Sequence, residues 1–148
     1  MTDNLHDFLS KKKKQKFATG VGTQTHSKMQ RICIDSGLSH GDNALIERIK
    51  LKSDLLPFFG KNSKAEVPIA GIINGKFVSR RIDRLIKNDA EKSIIFLDYK
   101  TDINKNLFRD KYILQMQEYS ELLQKIYPTY SICGFILWLQ DFTLEKIC

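Results

Sequence analysis

Cysteine is scarce in this chain, and its placement suits none of its usual framework roles. Cys33, Cys133 and Cys148 are odd in number, far apart, and form no Cys-x-x-Cys pair. That pattern speaks against a disulfide framework, a structural zinc site or an iron–sulfur cluster, and the expectation is three reduced intracellular thiols. Long apolar runs are missing too. Nothing approaches the roughly 20 residues that a bilayer crossing needs, and the opening MTDNLHDFLSKKKK is not a signal peptide. A cytoplasmic protein is expected. There is no Walker lysine loop, so neither a nucleotide cofactor nor ATP-driven activity is expected of this chain alone.

Acidic residues are the remaining shortage. Lys and Arg number 24 against 17 Asp and Glu, a formal net charge of +7. Such a balance favours a polyanionic partner, and charge alone does not separate nucleic acid from an anionic membrane surface. At 148 residues and 42% hydrophobic composition, one domain with a substantial core is expected.

Residues 1–20 read as a basic flexible leader carrying Lys11 to Lys14 and Lys16, and residues 21–148 as the folded domain. Thr23 is placed to cap a helix that Gly37 stops, with His26, Met29 and Cys33 on one stripe. A histidine there is either a packed core residue or a ligand. A second helix is expected from Asp42 to Leu56, ending at Pro57. Ala65 to Ile72 reads as a strand whose Pro68 puts it at an edge or bulge, and Asn74-Gly75 is a strong hairpin turn.

The chain is organised around the stretch from Lys76 to Thr101. Two extended runs, Phe77–Ile86 and Ser93–Asp98, flank a polar turn at Asn88 to Glu91. A turn centred between Ala90 and Glu91 sets Asp83 opposite Asp98. Facing side chains have Cβ atoms roughly 4.5–5.5 Å apart. Two carboxylates at that spacing repel by about 3 kcal/mol at an effective dielectric of about 20. A cation between them turns that cost into a site. Lys100 projects from the same face as Asp98, at strand period two. An acid pair beside a lysine is what metal-assisted phosphodiester cleavage requires. A helix over Asp110–Ile126 follows, with Tyr112, Gln115, Tyr119, Leu122 and Ile126 as its stripe, and then a buried strand over Ile132–Leu139. The element order α-α-β-β-β-α-β gives an α/β domain, a mixed β-sheet flanked by helices.

In this order the motifs resemble the PD-(D/E)XK nuclease superfamily, and within it the RecB/AddA-type nuclease domain of bacterial double-strand-break repair helicase-nucleases. The matching pieces are Gly22 to His26 (Gly-x-x-x-His), Glu66-Val67-Pro68, Ile82 to Leu85 (Ile-Asp-Arg-Leu), Asp98 to Thr101 (Asp-Tyr-Lys-Thr) and Gln115 to Tyr119 (Gln-x-x-x-Tyr). The tail IYPTYSICGFILWL is similar to the end of the alphaproteobacterial AddA type. Asp-x-Lys alone means little; five motifs in order over residues 20–139 mean much more. The resemblance implies a restriction-endonuclease-like core and a metal-dependent deoxyribonuclease, an exonuclease acting in repair. It implies Mg²⁺ or Mn²⁺ held by Asp83, Asp98, the Tyr99 backbone carbonyl and His26, with Lys100 stabilising the charge that grows on the phosphate. Gln115 and Tyr119 would orient the site or the DNA backbone. Glu66 would be a supporting acid or a salt-bridge partner, and Arg81 and Arg84 phosphate contacts or partners of the sheet's acids. DNA is the implied partner, bound through its backbone, with a separate helicase subunit supplying any motor and no membrane involved. The family usually has glycine where Arg80 stands; a cation there either tightens phosphate binding or crowds the site. The other readings are a catalytically silent DNA-binding or scaffold module, and a structure-specific endonuclease.

Overall fold

The computed structural model describes residues 24–148. The basic leader, Gly22 and the expected cap Thr23 lie outside the described residues. Helix α1 covers residues 24–30. A two-stranded ribbon of β1 (Cys33–Ile34) and β2 (Ser39–His40) follows, then α2 (Asn43–Lys50) and a 3₁₀ turn at Leu56–Phe59. The main body is β3 (Ser63–Ile73), β4 (Lys76–Asn88), β5 (Ser93–Lys100), α3 (Lys105–Ile126), β6 (Ser131–Trp138) and β7 (Thr143–Lys146).

Strands β3 to β7 form one mixed sheet in the order β3-β4-β5-β6-β7. Only β5 and β6 are parallel, because α3 carries the chain across the sheet between them. The β3–β4 turn uses Asn74 (φ 50) and Gly75 (φ 76), left-handed at both positions as a tight hairpin demands. The β4–β5 register runs from Asn88 opposite Ser93 to Arg84 opposite Leu97. Its turn is therefore centred between Ala90 and Glu91, as the sequence suggests, and Asp83 and Asp98 are the next pair along. Pro68 lies on the edge strand β3, where its missing N–H costs no ladder bond to a further strand. Glu66 (φ 55) drops out of the β3 pairing beside it, yet the register is the same on either side, Ala65 opposite Arg84 and Val67 opposite Ile82, so no residue is inserted.

Two cores lie on opposite faces of the sheet. On one face α3 sets Met116, Tyr119, Leu122 and Leu123 against Ile69, Ile82, Ile94, Phe96, Ile136 and Trp138. On the other, α1, α2 and the 3₁₀ turn set Met29, Ile32, Ile46, Ile49, Phe58 and Phe59 against Leu97, Tyr99 and Leu137. The α/β expectation with a mixed sheet holds.

Several expectations need correction. The first helix stops at residue 30 rather than at Gly37: Ile32-Cys33-Ile34 leaves the helix for a short strand, and the Arg84 guanidinium takes up the carbonyls at the helix end. The second ends at Lys50, and Pro57 opens a separate 3₁₀ turn. Helix α3 begins five residues early because the Asn104 side chain caps it at the Leu107 N–H. Ile126 is exposed, and Met116 and Leu123 complete the buried stripe in its place. The short strand β7 and the β1–β2 ribbon add to the expected order. Most plainly, Cys133 and Cys148 are joined by a disulfide and only Cys33 is a free thiol. The antiparallel register of β6 with β7, Phe135 opposite Lys146, carries Cys133 and Cys148 to directly opposed positions, with Cα atoms 5.2 Å apart.

Candidate functional site

The site forms where β4 and β5 part. Up to Arg84 and Leu97 the strands pair, and beyond that point β4 continues on β3 alone. At the split the Asp83 side chain replaces a main-chain partner: its Oδ2 accepts the Tyr99 N–H at 2.7 Å. Four consecutive residues, Ile82 to Leu85, are buried there. Val78, Ile82 and Leu85 all belong to the α3-side core, so strand alternation breaks between Ile82 and Leu85. The break lets Asp83 and Arg84 occupy two sides of one buried seam.

Asp83 and Asp98 are 8% and 4% exposed, an environment that carboxylates avoid unless something compensates them. Burial, reinforced by the Asp98 charge, pushes Asp83 up to about 8. Lys100 Nζ lies 2.5 Å from Asp98 Oδ2, yet that oxygen is buried without a hydrogen bond, because the ammonium meets it off the favourable direction. The same ammonium donates to Gln115 Oε1 at 2.7 Å and stands 4.2 Å above the Tyr112 ring. Gln115 Nε2 in turn donates to the Tyr119 hydroxyl at 2.8 Å. Lys100 is thus gripped by three groups, two of them on α3. His26 comes from α1, its Nδ1 3.9 Å from Asp83 Oδ1 and its ring edge-on to Tyr99 at 5.4 Å. Burial lowers the His26 pKa despite the nearby Asp98 charge, favouring the neutral imidazole that can ligate a metal.

The fold therefore gathers His26, Asp83, Asp98, the Tyr99 main chain, Lys100, Gln115 and Tyr119 around one point. Glu66 stands beside it: its charge acts on both His26 and Asp83, and it pairs with Arg81 at 3.7 Å, with Arg81 two-thirds exposed. Arg84 is not a phosphate contact: it is 4% exposed, sealed under Phe59, and spends its donors inside the protein. Arg80 reaches across to α3 and makes a forked pair with Glu118 at 3.0 and 3.2 Å. Tyr112 is the contact that motif reading overlooks; its i, i+3 spacing from Gln115 on α3 is the signal that was available.

Among the described residues no three His, Cys, Asp or Glu side chains gather tightly enough to make a metal centre by themselves. What the seam offers is a pair of buried carboxylates, one with an oxygen whose neighbour is the Lys100 ammonium, a main-chain carbonyl at the strand split and an imidazole at the margin. Hard oxygen donors with room for water suit Mg²⁺ or Mn²⁺, ions that keep several waters and need few protein ligands. The donor chemistry fits such an ion.

Fold and site together define a mixed α/β domain with a buried acid pair and a lysine at a strand split. No family model matches the chain. It is 37% identical over 86 residues to genetic interactor of prohibitin 5, mitochondrial, from Kluyveromyces lactis; the match covers 55% of this chain and 27% of that protein. The chain thus spans about a quarter of its curated relative's length. It is also similar to the crystal structure of SSO0001, at 22% identity and a TM-score of 0.43, over 69% of this chain and 48% of that one. No helix among the described residues is long and apolar enough to cross a membrane.

Proposed function

We propose that this chain is a divalent-metal-dependent deoxyribonuclease with a restriction-endonuclease-like core, of the PD-(D/E)XK superfamily and the RecB/AddA type, acting in the cytoplasm on DNA in repair. The observation that carries the reading is the buried Asp83–Asp98 pair with Lys100 on the same strand face, at the split between β4 and β5. A bound Mg²⁺ or Mn²⁺ would supply Lewis acidity at the phosphate and an ionised water at neutral pH. Asp83, Asp98, the Tyr99 carbonyl and His26 are the residues that would hold it. Lys100 stands beside Asp98 and stabilises negative charge developing on a non-bridging oxygen. Gln115, held by Tyr119, keeps the ammonium aimed, so both act through Lys100. The product expected is a 5′-phosphate end. No base-reading feature stands out; recognition runs through the DNA backbone, with a separate helicase subunit supplying any ATP-driven motor.

A catalytically silent DNA-binding or scaffold module is the second reading. It is favoured by the lock on Lys100, which Asp98, Gln115 and Tyr112 together hold back from solvent. Calorimetric titration with Mn²⁺ and Mg²⁺, wild type beside Asp98→Ala, with linear DNA digested in the same buffers, separates the two. Binding and cleavage that both vanish in the variant support the nuclease. Wild-type protein that binds no metal even with DNA present overturns it. Digestion of end-blocked DNA distinguishes an exonuclease from a structure-specific endonuclease.

A further inference from the structure

Arg84 neighbours a candidate metal ligand in the sequence but faces the other way, into the core built by α1 and the 3₁₀ turn. It is 4% exposed and pairs with no carboxylate among the salt bridges of the described residues. A buried guanidinium needs compensation. Here Nη2 donates to three carbonyls, Met29 at 2.9 Å, Gln30 at 3.2 Å and Ile32 at 2.7 Å, while Nε donates to the Tyr99 hydroxyl at 3.0 Å. Its Cζ lies 4.7 Å from the centroid of the Phe59 ring. These carbonyls belong to the last turn of α1 and the residues just past it, the negative end of the helix that carries His26. Tyr99 links these parts, its ring also stacked with Phe59. Its hydroxyl meets Arg84, its ring meets the edge of His26, and its N–H meets Asp83.

We infer that Arg84 is a positioning residue: it clamps the C-terminal end of α1 to Tyr99 of β5 and thereby sets His26 against Asp83. Lys28 ties α1 to Asp42, the cap residue of α2, at 3.6 Å, while Arg84 ties the end of the helix to β5. At 3.9 Å from Asp83 Oδ1, a shift of one ångström in His26 decides whether the imidazole and the carboxylate can share a ligand. The lever is specific to His26, because Asp83 and Asp98 are fixed by the sheet itself.

The inference deepens the metal-site reading and rests on it only for its second readout. The first readout is the cross-peak between the His26 and Tyr99 rings in NMR of the metal-free protein. Arg84→Lys, which keeps the charge but can serve fewer of the four acceptors, should weaken or erase that cross-peak while leaving the sheet's amide pattern intact. Tyr99→Phe, which removes one acceptor from an otherwise folded core, should weaken it less, and it carries the test if the lysine variant does not fold. The second readout is Mn²⁺ affinity in a double-mutant cycle. Arg84→Lys should weaken binding roughly 10-fold in the wild-type background and change it by less than a factor of about two in a His26→Ala background, because the effect travels through His26. An unchanged cross-peak in both variants, or equal weakening with and without His26, overturns the clamp. Absence of Mn²⁺ binding in the wild type would sink the metal reading while leaving the cross-peak to judge the clamp.

Discussion

At the scale of single residues, the acid pair sets two sharp expectations. The folded-state pKa of Asp83 is raised, so the native protein holds that proton more tightly than the unfolded chain does. The associated stability is fully present below the ordinary carboxylate pKa and is lost as the pH rises through about 8. Metal-free wild type should therefore melt at a lower temperature at pH 9 than at pH 5, by on the order of 5–10 °C. Asp83→Asn keeps an acceptor for the Tyr99 N–H and should flatten that profile, with its advantage over wild type confined to alkaline pH. Thermal melts across pH in chelator check this; a parallel profile for both proteins would mean that Asp83 ionises without cost. Lys100 gives the second expectation. Its ammonium sits 2.5 Å from the oxygen a metal would take, so on the proposed nuclease reading it would both compete with the ion and serve the reaction. Lys100→Ala should tighten Mn²⁺ binding while lowering cleavage by roughly 100-fold or more. A calorimetric titration in which the variant binds more weakly would count against that competition.

At the scale of elements, the sequence was most legible where the chemistry is local. Asn74-Gly75 announces its turn, the polar residues after Asn88 fix the hairpin centre, and that centre dictates which acids meet. Alternation then places Lys100 with Asp98 without any further information. What the sequence hid is non-local. Ile32-Cys33-Ile34 follows a helical stripe closely enough to pass as its last turn. The helix end is decided by Arg84, more than fifty residues away. The disulfide depends on β7, a four-residue strand with no apolar alternation strong enough to read, so two cysteines fifteen residues apart gave no hint of facing each other. Gly134 belongs to the same hidden layer. A Cβ there would lie 2.6 Å from Phe96 and 2.9 Å from Met116, so β6 can pass beneath α3 only without a side chain. Gly134→Ala should cost about 1–3 kcal/mol by forcing those side chains aside. Chemical denaturation measures it, and a change of only a few tenths would mean that the Phe96 ring yields freely.

At the scale of the whole molecule, charge and topology point the same way. The sheet opens at one end, where β4 leaves β5, and the carboxylates lie at the base of that opening, a strongly repelling place for DNA unless cations offset them. Apart from Lys100, the chain supplies that offset in bulk rather than at the seam. Its net charge is +7, while Arg80 is tied to Glu118 and Arg84 is sealed in the core. The rest of the positive charge is spread along the sequence and includes the lysines at positions 11–14 and 16. A dispersed set makes many weak phosphate contacts, each releasing a counterion, and the signature is a steep salt dependence with little regard for sequence. Measured in chelator, so that cleavage plays no part, affinity for a short duplex should fall at least about 10-fold between 50 and 200 mM salt. Two duplexes of unrelated sequence should give the same slope. Removing residues 1–20 should make the log–log slope shallower by about 2–4, in line with the five lysines withdrawn. If the slope is unchanged by that deletion while affinity drops, the leader acts on the fold and not on the phosphates. If binding resists salt altogether, the positive balance serves some partner other than DNA.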